Sequence, residues 1–211
     1  MAGHASVSLT VDLKLFGEVF ITLFVIMDPP GTIPVFLSLA SGQSSKMRRR
    51  MAWQAVTVAF VVIVVFAAFG QQILDYLGIT LPALQGAGGL LLLLVALQLL
   101  TGQVDDPVAK DNVNVALVPL GTPLLAGPGA IVATMVFVSV IDTTEDLIAV
   151  AAGIIAVHIV MWIVLRYSVL ILRLLRDSGI TLVTRIAGLL LSAIAVQLVA
   201  DAVRAFVDGS G

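Results

Sequence analysis

Long apolar runs alternate with short polar segments along nearly the whole chain. Six of these runs reach or exceed the length of about 20 residues that a helix needs to cross a bilayer. They lie at about residues 15–41, 51–70, 82–101, 114–141, 147–166 and 184–204. The pattern predicts an all-α membrane protein with six transmembrane helices, in one membrane domain over residues 1–211. Composition agrees, because only 11% of the residues are charged, against roughly 25% in soluble domains.

The first and fourth runs are longer than a bilayer requires, and both are interrupted by helix-breaking residues. Residues 28–34 read DPPGTIP, and residues 119–129 read PLGTPLLAGPG. Hydrocarbon offers no partner for a free backbone group, so such breaks occur only inside protein or beside a wet cavity. We therefore expect helices 1 and 4 each to consist of two half-helices that meet at the membrane midplane. Many secondary transporters place their substrate site at such breaks.

Basic residues are concentrated in the odd-numbered connectors between the spans. These connectors hold nine of the eleven lysines and arginines: Lys46, Arg48, Arg49, Arg50, Lys110, Arg166, Arg173, Arg176 and Arg185. The positive-inside rule predicts a multi-pass protein of the cytoplasmic membrane, with these connectors in the cytoplasm and both termini outside. The segment 166–176 fits either a basic amphipathic helix on the inner surface or a solvated extension of the fifth span.

The two halves of the chain match when one is shifted by 98 or 99 residues. Residues 30–31, 89–92 and Gln98 then fall on residues 128–129, 188–191 and Gln197, respectively. Glutamine is uncommon in apolar spans, so the last match carries the most weight. Each half has three spans, at about residues 15–101 and 114–204, and the second would therefore enter the membrane upside down. The register predicts two inverted three-helix repeats; chance similarity between apolar segments is the alternative.

The first break combines backbone donors with an acid. Asp28 is predicted to cap the half-helix that follows, with Pro29 at its first position. The N–H groups of Gly31 and Thr32 would then remain available for a substrate carboxylate, which a helix N-terminus favours. The carboxylate of Asp28 would favour an ammonium group or a coupling cation.

A structural cap is the simpler interpretation of Asp28. Capping is worth about 1 kcal/mol, whereas a charged residue at the bilayer centre costs roughly 2.5–3.5 kcal/mol on insertion scales. Serine or asparagine would cap without that cost. The comparison favours a functional acid and makes Asp28 a candidate proton-coupling group.

The second break has the same pattern without an acid. Gly127 and Gly129 would let a ligand approach the backbone closely, and Thr122 would supply a hydroxyl. Two half-helix N-termini that face each other, with Asp28 to the side, would suit a small zwitterion. The predicted substrate-binding residues are Asp28, Pro30, Gly31, Thr32, Thr122, Gly127, Pro128 and Gly129.

Three further polar residues lie within the spans. Gln98 and Gln197 are expected to bond the broken backbones or line the pathway, with simple bonds between helices as the alternative. His158 is a candidate proton shuttle in the fifth span. The sequence shows no metal-ligand cluster, no cofactor motif and no nucleic-acid signature. No catalytic pair of side chains is evident within the membrane, so enzymatic activity is not expected.

Residues 28–36 (DPPGTIPVF) and 119–131 (PLGTPLLAGPGAI) resemble the signature segments of the MarC family, also called the neutral amino acid transporter family. The resemblance covers essentially the whole chain in its length, its six spans and the places of both motifs. It implies an inner-membrane transporter of a bacterium or archaeon. The family includes carriers of small neutral amino acids such as glycine and alanine. Its name also preserves an association with multiple antibiotic resistance, which does not establish drug transport.

We therefore expect a secondary transporter of small neutral amino acids, with the substrate held between the two broken-helix motifs. A proton or a sodium ion is the candidate coupling ion. An exporter or a channel for another small polar solute or a drug is the alternative. The predicted partners are the amino acid and the lipid bilayer, and the sequence leaves the oligomeric state open.

Overall fold

The computed structural model describes residues 12–102 and 125–208. Within these ranges the chain forms seven α-helices and no strand. They are α1 (Leu13–Met27), α2 (Pro29–Leu39), α3 (Ser45–Leu77), α4 (Leu81–Thr101), α5 (Pro128–Ser139), α6 (Thr144–Arg166) and α7 (Ser168–Val207). The predicted all-α class is confirmed.

Five stretches of the described helices are long and apolar enough to cross a membrane. They are Leu13–Leu37, Ser45–Leu77, Leu81–Thr101, Thr144–Arg166 and Ser178–Val207. Helix α5 is apolar but shorter, with 12 residues. It corresponds to the second half of the predicted fourth span, whose first residues lie outside the described part of the chain. The multi-pass character of the protein is thus confirmed.

Local sequence determines where several of these helices begin and end. The hydroxyl of Ser44 caps α3, and Thr143 forms a capping box with Asp146 at the start of α6. These side chains satisfy N–H groups that have no partner inside the helix. Gly78 and Gly102 end α3 and α4 in the left-handed conformation that glycine adopts without penalty.

The most extensive packing between helices is that of α4 against α7. A Cβ atom added to Gly89 would lie 2.8 Å from the carbonyl oxygen of Ala195, and one added to Gly188 would lie 3.2 Å from that of Ala96. The absence of side chains at these glycines therefore lets the two helices cross closely. As residue numbers rise along α4 they fall along α7, so the helices are antiparallel. The two contacts are also reciprocal. The shift of 99 residues relates Gly89 to Gly188 and Ala96 to Ala195, so it converts one contact into the other.

The basic segment at residues 166–176 differs from both sequence-based expectations. Helix α6 ends at Arg166, and α7 starts at Ser168 and continues without interruption to Val207. The segment is thus the beginning of the last helix, so the prediction of an extension of the fifth span is wrong. It is also not a separate surface helix. The segment is not separate because α7 continues from it to Val207 as one helix.

The core surrounds the break in the first span. Leu23 and Met27 on α1 and Phe36 on α2 are buried in one apolar cluster with residues of α3, α5 and α6. A smaller cluster joins Val25 to α4 and α7. The break at residue 28 is therefore enclosed by protein, as the backbone argument requires.

Candidate functional site

Asp28 is the single residue that separates α1 from α2. Its N–H donates to the carbonyl of Phe24 at 3.1 Å and completes α1, and its own carbonyl accepts the N–H of Thr32 at 3.0 Å. Its backbone is left-handed, with φ 40° and ψ 68°. This conformation is uncommon outside glycine, although Asp and Asn tolerate it better than most residues. The predicted pair of half-helices is thus confirmed for the first span.

The side chain of Asp28 caps α2 as predicted. Its Oδ1 accepts the N–H of Gly31 at 3.2 Å. This bond corrects the expectation that the N–H groups of Gly31 and Thr32 remain free for a substrate. Both donate to Asp28, one to its side chain and one to its backbone, and the two preceding residues are prolines without an N–H. The cap and the first backbone bond of α2 therefore use both of the N–H groups that the sequence predicts to be free for a substrate.

The other oxygen of the same carboxylate has no such bond. Asp28 is only 6% exposed, and its Oδ2 is buried without a hydrogen-bond partner among the described residues. The hydroxyl of Thr184, on α7, is buried and unpartnered in the same way. Both groups lie against Gly31, because a Cβ atom there would collide with Oδ2 and would lie 3.0 Å from Thr184 Oγ1. A carboxylate oxygen and a hydroxyl thus converge beside the break, and neither has a hydrogen-bond partner in residues 12–102 and 125–208.

Thr184 is the residue of this site that sequence reasoning missed. It is the first residue of the predicted sixth span, next to Arg185. The sequence signal was a polar residue at the edge of an apolar run. That signal does not indicate which other helix the hydroxyl faces.

Thr32 supports the geometry of the break and has no free hydroxyl hydrogen. It is buried, and its Oγ1 donates to the carbonyls of Asp28 at 2.9 Å and Met27 at 3.2 Å. The last carbonyls of α1 are therefore bonded from within α2. Pro30, two residues before Thr32, is half-buried.

The second break begins α5 with a different backbone arrangement. Gly127 occupies the cap position without a side-chain bond, and its carbonyl accepts the N–H groups of Ala130 at 3.0 Å and Ile131 at 3.2 Å. Pro128 has no N–H and is exposed. The N–H of Gly129 has no acceptor within the described ranges. Thr122 lies outside the described residues.

The two breaks contact different helices. Gly31 lies beside Thr184 on α7, whereas Gly129 packs so closely on Leu92 of α4 that a Cβ there would collide with the leucine side chain. The shift of 99 residues relates Leu92 to Leu191, which is seven residues beyond Thr184. Seven helical residues correspond to about 10 Å. The two breaks therefore lie at unequal positions along their partner helices. That the N-termini of the two half-helices face each other stays a prediction.

Gln98 and Gln197 lie on exposed faces of α4 and α7. The amide of Gln197 donates to Asp201 at 2.8 Å, one turn further along the same helix. Asp201 is in turn 3.7 Å from Arg204. This bond lies within one helix, so it is neither the predicted contact with a broken backbone nor a bond between helices.

His158 is buried in α6, at 4% exposure, and its Nδ1 lies 2.7 Å from the carbonyl of Ile154. A carbonyl only accepts, so Nδ1 carries the hydrogen. Nε2 has no partner among the described residues. The ring packs edge-to-face on Phe60 with centroids 5.1 Å apart, beside an apolar groove of about 330 Å³ between α3 and α6 that Trp53 and Trp162 also line. Apart from Thr57, the residues that line this groove with His158 are aliphatic or aromatic, and they do not include Asp28.

Comparison with known proteins agrees with the architecture. The profile of the MarC family of integral membrane proteins matches residues 13–207. A UPF0056 membrane protein from Aquifex aeolicus is 37% identical over 198 residues, covering 90% of this chain and 92% of the relative. Another from Methanocaldococcus jannaschii is 35% identical over 201 residues, covering 92% and 98%. The UPF0056 membrane protein YhcE of Escherichia coli is 29% identical over 206 residues, covering 94% and 96%.

No solved structure matches the chain significantly. The match to the family profile, by contrast, extends from the first residue of α1 to the last residue of α7. It includes both broken-helix motifs and the whole of the described helical body. The chain therefore belongs to the MarC family of integral membrane proteins.

Proposed function

We propose that this protein is a secondary transporter of small neutral amino acids, such as glycine and alanine, across the cytoplasmic membrane. The observation that carries the proposal is the buried, unpartnered Oδ2 of Asp28 at a helix break within a membrane span. A carboxylate oxygen without a donor is costly in an apolar environment. A substrate ammonium group supplies both the missing donor and the opposite charge, and a coupling proton or sodium ion supplies the charge when the substrate is absent.

Thr184 and the second break complete the proposed substrate contacts. The hydroxyl of Thr184 is available to accept from the ammonium group beside Asp28. Because the cap uses the N–H groups of the first break, the substrate carboxylate is assigned to the second break. There the positive end of the α5 dipole and the N–H of Gly129 favour an anion. The closely packed Gly31 and Gly129 favour a substrate with a small side chain.

We further propose that the chain consists of two inverted three-helix repeats. The reciprocal contacts between α4 and α7 support this, since Gly89 meets Ala195 as Gly188 meets Ala96. The packing of the half-helices follows the same exchange: α5 contacts α3 and α4, and α2 contacts α6 and α7. In such carriers one repeat rocks against the other. The positions of the two breaks along their partner helices differ by two helical turns. In the proposed transport cycle this difference reverses as the site opens to the other side of the membrane.

The orientation of the proposed transporter follows from its charges. The start of α3 and the first half of α7 carry seven of the eleven basic residues. Both lie on the same side of the molecule, where Arg48 and Arg166 line one pocket. The positive-inside rule places this side in the cytoplasm and both termini outside.

Uptake of labelled amino acids into proteoliposomes tests the proposal, with and without gradients of pH and sodium. We expect uptake and counterflow of glycine or alanine by the unmodified protein.

Asp28→Asn preserves an oxygen to cap Gly31 but removes the charge, so transport and its dependence on the gradient should be lost while the protein stays folded. Thr184→Val should weaken apparent affinity about tenfold, since one bond to a charged group is worth about 1.5–3 kcal/mol. Asp75→Asn, at an exposed acid near the end of α3, is the matched control.

Failure of every small neutral amino acid in both uptake and counterflow would contradict the proposed substrate. Unchanged transport in Asp28→Asn would contradict the proposed site. Trans-stimulation by unlabelled substrate separates a carrier from a channel, because only a carrier must return its site across the membrane. A panel that includes other polar solutes and drugs tests the alternative of an exporter.

A further inference from the structure

Another pocket lies where α3 begins and α6 joins α7. Its volume is about 280 Å³. Four arginines from three helices line it, together with a serine and a tyrosine: Arg48, Arg49, Arg166, Arg173, Ser45 and Tyr167. The pocket has no role in the proposed transport reaction.

The charges of this pocket are uncompensated within the described part of the chain. Among the described residues, the ion pairs join Lys14 to Glu18 and Arg204 to Asp201. Neither pair involves a residue of the pocket. Four like charges that share one concavity repel one another unless an anion lies between them. The arrangement therefore favours a negatively charged ligand.

Aromatic packing holds one of these arginines in place. The guanidinium carbon of Arg166 lies 5.2 Å from the ring centre of Trp162 and 5.8 Å from that of Tyr167. A stacked guanidinium keeps its N–H groups at the edge, where they can form a fork with two oxygens. Arginines bind phosphate in this way with charge-assisted bonds. Ser168, which follows Tyr167, is buried and its hydroxyl has no partner in the described ranges.

The surroundings of the pocket distinguish a lipid from a soluble anion. On α7, Leu170 is 63% exposed and lines the pocket, and Leu174, one turn later, is 82% exposed. The stretch of α7 that is apolar enough to cross a membrane begins shortly afterwards, at Ser178. The arginines thus lie at the start of α3 and just before the apolar stretch of α7, with exposed apolar side chains beside them. A soluble phosphate would leave those leucines uncovered.

We propose that this pocket binds the phosphate headgroup of an anionic phospholipid, with its acyl chains against Leu170 and Leu174. Basic pockets between transmembrane helices bind such headgroups in other membrane proteins. The lipid would join the start of α3 to the connection between α6 and α7. Those elements belong to different halves of the chain, so the bound lipid would hold the halves together at this surface.

The test compares two triple variants of the full-length protein with the same change in charge. Arg48→Gln with Arg49→Gln and Arg173→Gln removes charges from the pocket. Lys46→Gln with Arg50→Gln and Arg185→Gln removes charges from the same two helices outside it. Native mass spectrometry measures phosphatidylglycerol retained by each purified protein, with phosphatidylcholine and inorganic phosphate as comparison ligands.

We expect the unmodified protein and the control triple variant to prefer phosphatidylglycerol to phosphatidylcholine. The pocket triple variant should bind phosphatidylglycerol at least about tenfold more weakly, since one charge-assisted bond accounts for such a factor. Arg173→Lys keeps the positive charge but replaces the planar guanidinium, which can donate two parallel bonds to phosphate oxygens, with an ammonium group. This variant should therefore also bind phosphatidylglycerol more weakly. Inorganic phosphate should bind weakly and displace little lipid.

Three results would each overturn the proposal. Equal loss of binding in both triple variants would assign the effect to diffuse surface charge. An absence of preference for the anionic lipid in the unmodified protein would exclude the site. Binding of inorganic phosphate as tight as that of phosphatidylglycerol would assign the pocket to a soluble anion. Gel filtration of each variant verifies that the protein is folded before lipids are compared.

Discussion

Gly31→Ala is the substitution to which the structure assigns the most specific cost. The added methyl group would collide with Asp28 Oδ2, lie 2.8 Å from Asp28 Cγ and lie 3.0 Å from Thr184 Oγ1. Neither neighbour moves away freely. Asp28 is held by its backbone bonds to both helices and by the cap to Gly31, and Thr184 belongs to the long helix α7.

The expected loss of stability follows from two opposing contributions. Overpacking a well-packed interior typically costs about 1–3 kcal/mol. Rotation of the carboxylate out of the way would relieve the collision but would break the cap, which is worth about 1 kcal/mol. Replacing glycine by alanine inside a helix returns roughly 0.5–1 kcal/mol. We therefore expect Gly31→Ala to lower the free energy of unfolding by up to about 2.5 kcal/mol, and to be about 1–3 kcal/mol less stable than a glycine-to-alanine variant that gains the same helix propensity without a collision.

The assay is equilibrium unfolding in mixed micelles, followed by circular dichroism. Gly17→Ala is the matched control, because a Cβ atom at Gly17 in α1 meets nothing within 4 Å. That variant should be as stable as the unmodified protein or slightly more so. Equal stability of Gly31→Ala and Gly17→Ala would refute the packing argument.

A double-mutant cycle identifies the colliding partner. Asp28→Gly removes the carboxylate and suits the left-handed backbone at this position. Gly31→Ala should then cost little in the Asp28→Gly background, giving a coupling energy within the range of about 0.5–3 kcal/mol found for contacting residues. Additive effects would show that the collision lies elsewhere.

Two further substitutions test the packing of α4 on α7 and the bonds across the break. Gly89→Ala should destabilise the protein by about 1–3 kcal/mol, because its methyl group would lie 2.8 Å from a backbone oxygen that cannot rotate away. Gly86→Ala, whose nearest neighbour is at 3.5 Å, should be neutral in the same unfolding assay, and an equal loss in both would contradict the close crossing. Thr32→Val should cost about 1–2 kcal/mol because it removes the hydroxyl that bonds two carbonyls at the break. Thr101→Val removes a similar bond at an exposed helix end and should have little effect, so equal losses in these two variants would refute a special role for Thr32.

Much of the architecture follows from local sequence. The apolar runs predict the spans because a bilayer imposes a minimum length on a helix that crosses it. The break at Asp28 was predicted for a similarly local reason, since two prolines lack N–H groups and an aspartate caps the next turn. The structure confirms the break at Asp28, and its described residues contain five helices that are long and apolar enough to be spans.

Other features depend on contacts that no sequence window contains. The start of α7 at Ser168 was missed because hydropathy does not separate a helix extension from the next helix across one residue. The use of the N–H groups at the first break was missed because the cap and the substrate compete for the same donors. Only the bond between Asp28 and Gly31 shows that the cap holds that donor.

The sequence by itself thus determined that this chain crosses a membrane several times and carries a broken helix at Asp28, because hydropathy, proline and capping act over a few residues. Only the tertiary structure decided that Oδ2 of Asp28 is buried without a hydrogen-bond partner in the part of the chain that the structure describes, and that the hydroxyl of Thr184 lies near it. It likewise decided that arginines from three helices share one pocket. These arrangements join residues more than a hundred positions apart, and their distances depend on how whole helices pack.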